Sequence, residues 1–154
     1  MFYTGFFFVR NLLLCFWLRI LFIMKDEELL QAAVVARNFA QAPYSHYLVG
    51  AALLGRNGKT YTGCNVESSS FGLSICAERV ALVKALSEGE REFDRMAVAI
   101  DGGEIAKPCG ACLQLLSDYA PGLILILGNL EGHFEKTPIT ELLPRPFSKG
   151  DLLK

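Results

Sequence analysis

From Lys25 onward the chain mixes apolar and polar positions in two distinct periods, and those periods predict its elements. Leu29, Leu30, Ala33, Val34 and Ala36 recur at helical spacing, so an amphipathic helix of about 15 residues is expected, ending near Ala40 ahead of Pro43. Leu48 to Leu54 is a continuous apolar run and reads as a buried strand. Arg56-Asn57-Gly58-Lys59 follows as a hairpin turn, with Asn-Gly expected to supply positive φ angles, and Thr60 to Val66 returns as the partner strand. Ser74 to Ser87 predicts a second helix, with Ser74 as its cap. Arg95 to Ile100 predicts a strand, and Pro108 fits the first position of a helix reaching Tyr119. Leu123 to Leu127 is apolar throughout, as a central strand covered on both faces must be, and Ile139 to Leu143 predicts a last short helix. A hairpin followed by alternating strands and helices predicts an α/β fold, a three-layer α/β/α sandwich around a mixed central sheet.

The first 23 positions follow neither period. Met1 to Ile23 is almost wholly apolar, but Arg10, Asn11 and Arg19 break it into runs shorter than the roughly 20 residues a spanning helix needs. The charges lie inside the apolar stretch, and Leu21-Phe22-Ile23 is not a signal cleavage site. Two readings stand: a membrane anchor that tolerates two arginines, or residues upstream of a true start at Met24. The second is preferred, giving an N-terminal extension over 1–23 and one domain over 24–154, with no membrane partner expected.

Charge narrows the partner. The chain carries 15 basic and 16 acidic residues in no long runs, for a net charge of −1. A surface that grips polynucleotides needs a basic excess to neutralise phosphates, so a small molecule is favoured over nucleic acid. Five cysteines, an odd number at uneven spacing, argue against a disulfide framework and for reduced thiols in the cytoplasm.

Three of those thiols carry a chemical pattern. Cys109 and Cys112 lie three apart in Pro108-Cys109-Gly110-Ala111-Cys112 at an expected helix start, where such positions share a face. Cys76 opens another segment, with Glu78 two residues on. Three thiolates and one open position are the layout of a catalytic zinc site, whereas a structural site closes with a fourth protein ligand. A Cys, a nearby non-ligand Glu and a later Pro-Cys-x-x-Cys is the arrangement of zinc deaminases. Three thiolates oppose the metal's Lewis acidity, so their charge needs compensation. Helix N-termini at both segments would supply some, and Arg79 could donate to the sulfurs. Glu78 is expected to shuttle protons as general acid and base. Cys64 reads as a small buried hydrophobe, and His46 and His133 as structural or exposed.

With these residues in view, the chain resembles the cytidine deaminase family over nearly all of residues 25–154. Four segments carry the resemblance: Pro43-Tyr44-Ser45-His46-Tyr47-Leu48-Val49-Gly50-Ala51-Ala52, Gly63-Cys64-Asn65-Val66-Glu67, Cys76-Ala77-Glu78-Arg79 and Pro108-Cys109-Gly110-Ala111-Cys112-Leu113-Gln114. The resemblance implies hydrolytic deamination of cytidine and deoxycytidine in pyrimidine salvage, with one zinc ion per chain. It implies that Asn65 and Glu67 bind the ribose 3′-hydroxyl and that Ala77 and Glu78 meet the pyrimidine's polar edge. Cysteine at position 76 in a short chain is similar to the homotetrameric branch, in which neighbouring subunits share active sites; Ser69, Phe71 and the C-terminal aromatic Phe147 are the matching positions. Three residues depart from the family pattern: Tyr47 stands where Phe is usual and still offers a ring to the base, Phe71 stands where Tyr is common, and Leu113 replaces a frequent Arg.

Other functions share parts of this pattern. Another small aminopyrimidine nucleoside, such as a nucleoside antibiotic, would use the same core, though Asn65 and Glu67 favour ribosides. A polynucleotide deaminase would need a basic groove. A zinc-stabilised binding module without turnover would have no need of Glu78.

Overall fold

The computed structural model describes residues 24–152. The readings made for the first 23 positions therefore lie outside the described residues. Eight main elements build the domain: α1 (Asp26–Arg37), β1 (Val49–Gly55), β2 (Thr60–Cys64), α2 (Ala77–Ser87), β3 (Phe93–Ile100), α3 (Gly110–Tyr119), β4 (Ile124–Asn129) and β5 (Phe134–Pro138). A 3₁₀ turn at Phe71–Leu73 and two short helices, α4 (Ile139–Leu142) and α5 (Lys149–Leu152), complete them. The strands form one sheet in the order β2-β1-β3-β4-β5. Only β3 and β4 run parallel; the other pairs are antiparallel, so the sheet is mixed as expected.

Period-two alternation explains the layers. Ala52, Leu54, Ala97, Ala99 and Ile126 face Leu29, Leu30 and Ala33 of α1. Their sequence neighbours Ala51, Leu53, Met96, Val98, Leu125 and Leu127 face the opposite way, against Ala81, Leu82 and Ala85 of α2 and Leu116 of α3. That is why β1, β3 and β4 read as unbroken apolar runs: both of their faces are covered. Two glycines set the spacing. A Cβ on Gly50 would lie 2.0 Å from the Ala33 carbonyl oxygen and 2.5 Å from the Arg37 nitrogen, so α1 rests directly on β1. A Cβ on Gly63 would lie 2.5 Å from both the Ala77 oxygen and the Ala81 nitrogen, so α2 rests as closely on β2 from the other face.

Several boundaries differ from the sequence expectation, each because a longer-range partner takes over. The first helix stops at Arg37, not near Ala40, because Gln41 is drawn into a bridge with Val66. The partner strand stops at Cys64 for the same reason: Val66 leaves β1 and pairs with Gln41 and Ile75. Ser74 does not cap α2. Its hydroxyl accepts from the Ser68 N–H, and Cys76 is the N-cap. Pro108 lies before Cys109, the N-cap of α3, and so outside the helix. In the hairpin, only Gly58 takes a positive φ, of 83°, while the Asn57 side chain accepts from the Lys59 N–H. Edge strand β5 escaped the sequence reading because its middle residues, Glu135 and Lys136, are exposed and break the apolar pattern.

Candidate metal centre and active site

The functional side chains gather where α2 and α3 begin. Cys76 is the N-cap of α2 and Cys109 the N-cap of α3, both in extended backbone, and Cys112 follows in the first turn of α3. The three Sγ atoms lie within 4.8 Å of one another, with Cys76 to Cys109 at 3.9 Å and Cys109 to Cys112 at 3.6 Å. Ligands about 2.3 Å from a tetrahedral zinc stand roughly 3.8 Å apart, so the trio fits that ion as it stands. Cys76 and Cys109 stand at helix N-termini, where the positive end of the helix dipole favours a thiolate, although neither sulfur makes a cap hydrogen bond. The Cys76 thiol is lowered to about 5, first by its hydrogen bond with Cys112, then by Arg79 and Cys109. Cys112 is pushed up by the same pairing with Cys76 and by burial.

Glu78, in the first turn of α2, is 4% exposed and lines the pocket beside the cysteines. Burial pushes its carboxyl above the usual range, the Cys76 charge adds to this, and its own backbone N–H and Cys112 oppose it in part. Arg79 turns back along the helix start. Its Nη2 donates to the Ser74 carbonyl at 3.0 Å and to Cys76 Sγ at 3.5 Å. Its Nε is buried without a hydrogen-bond partner.

A pocket opens over this cluster. Val98 and Ile100 of β3 form its floor with Val49, the exposed Tyr47 and Lys107 stand at its mouth, and Asn65 and Glu67 also line it. Ala77 also lines it and is fully buried. Asn65 and Glu67 have a second occupation that the sequence did not reveal. Asn65 Oδ1 accepts from the Val49 N–H at 2.8 Å, and its Nδ2 donates to the Tyr47 carbonyl at 2.8 Å. One Nδ2 proton is left for a ligand. Glu67 accepts from the N–H groups of Tyr44 and Ser45 and from the Ser45 hydroxyl. The Ser45 hydroxyl lowers the Glu67 carboxyl below its ordinary value, so Glu67 is held as an acceptor with lone pairs to spare. Ser45 belongs to a quoted motif, yet its side chain gave no signal that it would brace Glu67.

The chain does not bring every candidate to this pocket. Ser69, Phe71 and Phe147 are exposed and outside its lining. Phe71 instead meets the Tyr44 ring edge-on at 5.9 Å, and the Phe147 carbonyl accepts from Gln114 Nε2. Leu113, at 7% exposure, packs into the core. Cys64 is half-buried rather than buried and lies outside the cysteine cluster. His46 and His133 are exposed, as expected.

Comparison with known proteins gives a consistent result. The family described as "Cytidine and deoxycytidylate deaminase zinc-binding region" matches residues 23–126. A cytidine deaminase of Sporosarcina psychrophila is 44% identical over 130 residues, covering 84% of this chain and 96% of that protein. One from Halalkalibacterium halodurans is 42% identical, covering 84% and 98%. The crystal structure of a cytidine deaminase from Burkholderia pseudomallei superimposes with a TM-score of 0.78 at 44% identity, covering 80% of this chain and all of that one.

Proposed function

The chain belongs to the cytidine deaminase family, and on that footing we propose how its own residues carry out the reaction. It is a zinc-dependent enzyme that hydrolyses the exocyclic C–N bond of cytidine, and its partner is a nucleoside rather than nucleic acid. Deoxycytidine is read as a second substrate. One observation carries the assignment of roles: three thiols at zinc-ligand separation beside a buried carboxyl, in a pocket that also presents Asn65 and Glu67.

Cys76, Cys109 and Cys112 would hold the ion, which when bound supplies Lewis-acid activation of water. Glu78 would carry two protons: one to the pyrimidine ring nitrogen as the water oxygen adds to C4, and a second from the added hydroxyl to the amine, which leaves as ammonia as the C4–N bond breaks, giving uridine. Burial supports this role, because a carboxyl with a raised pKa holds and releases a proton closer to neutral pH. Arg79 offsets thiolate charge at Cys76. The free Nδ2 proton of Asn65 and the Glu67 carboxylate can donate to and accept from one sugar hydroxyl, while Ala77 lines the base end and Tyr47 offers a ring face.

The finer readings extend this. A homotetramer with shared sites would use Ser69, Phe71 and Phe147, and their exposure outside the pocket of their own chain supports that reading. Pyrimidine salvage in the cytoplasm follows from a nucleoside substrate and reduced thiols. Among the described residues, no helix is long and apolar enough to cross a membrane. Residues 24–154 are proposed as the catalytic unit, supported by a family match that starts at residue 23. The direct test is loss of cytidine absorbance on adding purified, zinc-loaded protein. Stable absorbance at micromolar enzyme would reject the function.

A further inference from the structure

Arg37, at the C-terminal end of α1, lies on the sheet face opposite the cysteines yet bonds two segments that lead into the pocket. Its Nε donates to the Leu48 carbonyl at 3.0 Å, and its Nη2 reaches Asp101 Oδ2 at 3.3 Å. The register explains how one side chain does both. Val49 and Ile100 are partners across the antiparallel β1–β3 pair, so Leu48 and Asp101, the next residues outward, leave the sheet side by side. From there the two segments diverge. One carries Tyr47 to the pocket; the other carries Ala106 and Lys107 to it and runs on into Cys109. Gly50 brings the guanidinium within reach, since any side chain there would push away the helix end that bears Arg37.

We propose that Arg37 is a positioning residue for the substrate pocket, a clamp that fixes the 43–48 and 101–107 segments against each other. Its planar fork suits two acceptors at a fixed angle, and burial of its side chain shields the Leu48 bond from water while the Asp101 bond lies at the surface. Asn65 continues the same brace toward the substrate, holding the Tyr47 carbonyl and the Val49 N–H from the other side. Arg37 contacts none of the cysteines, nor Glu78, in these bonds. Loosening it should therefore widen the mouth without disturbing the reacting groups.

The proposal rests on reading this pocket as the nucleoside site, and its test separates the two. Arg37→Ala and Asp101→Asn are made in the zinc-loaded enzyme and assayed with cytidine. Arg37→Ala is expected to raise KM roughly 5- to 10-fold, with kcat within about twofold of the parent and zinc content unchanged. Asp101 is 71% exposed, so its variant folds whatever becomes of Arg37→Ala. Asp101→Asn, which weakens the bond by removing its charge, should raise KM at least about twofold, and the double variant should match Arg37→Ala alone, because Arg37→Ala already removes the Asp101 bond along with the one to Leu48. An unchanged KM in a folded variant, or a fall in kcat together with zinc loss, would overturn the clamp. Hydrogen exchange decides it without turnover. Amides of both segments should exchange faster in either variant, and unaltered rates would reject the clamp even if the parent enzyme left cytidine untouched.

Discussion

Cys76 and Cys109 hold the same position in two different helices: each is an N-cap, and their sulfurs meet 3.9 Å apart. The sheet brings two helix starts to one point, and with them the positive ends of two helix dipoles, which favour thiolates. About one zinc per chain is expected by elemental analysis. Replacing Cys76, Cys109 or Cys112 singly with Ala should abolish stoichiometric binding. Full zinc retention in all three variants would mean the ion sits elsewhere.

Glu78 lies two residues after one ligand and is buried beside the cluster. Glu78→Gln keeps the shape and removes the proton carrier. Its zinc content should match the parent while kcat drops at least ~10²-fold, toward ~10⁴-fold. Near-normal turnover, or loss of the metal, would contradict the proton-shuttle role.

Gly63 sits under α2 with no room for a methyl group. Gly63→Ala must displace the helix that carries Glu78 and begins at Cys76, and overpacking of this kind costs about 1–3 kcal/mol or more. Thermal unfolding should show the loss, and activity should fall with it. A fully stable and active variant would refute the close contact.

Asp26 joins three elements by bonding Arg95 of β3 and Lys136 of β5 from the start of α1. Burial raises its carboxyl, but the hydrogen bonds from Lys136 and Arg95 outweigh that and hold it below its ordinary 3.8. A depressed folded pKa gives stability that is fully present above the unfolded value and lost as pH falls through the folded one. Asp26→Asn should therefore cost about 1 kcal/mol near neutrality. Measured by urea unfolding, the gap between variant and parent should shrink once the pH drops below roughly 4. A gap that stays constant down to pH 2 would show that the carboxylate charge is irrelevant.

Phe71 and Phe147 are 75% and 59% exposed, large apolar side chains left in water by the single chain. Under the homotetramer reading, light scattering should give four chains per particle. Mixing inactive Glu78→Gln with an inactive Phe147→Ala variant should restore part of the activity through hybrid sites. A fully active monomer would end that reading.

What the sequence determined by itself was whatever depends on near neighbours. Unbroken apolar runs announced strands covered on both faces, and the helix periodicity of Leu29 to Ala36 announced α1. The Cys-x-x-Cys spacing of residues 109 and 112, with Glu78 two residues after Cys76, announced metal and proton chemistry before any fold was known. Only the tertiary structure decided where elements end and what the polar side chains do. Gln41 ended α1 by bridging to Val66, and Ser74 gave up its capping role to bond Ser68. Asn65 and Glu67 became braces for residues 44–49 as well as candidate sugar contacts. Arg37, read as one more polar position on a helix, joined two loops that lie 53 positions apart at Leu48 and Asp101. Periodicity records which face of an element is apolar, a property of consecutive residues. A hydrogen bond between distant segments depends on separations of a few tenths of an ångström, set only when helices settle onto the sheet at Gly50 and Gly63.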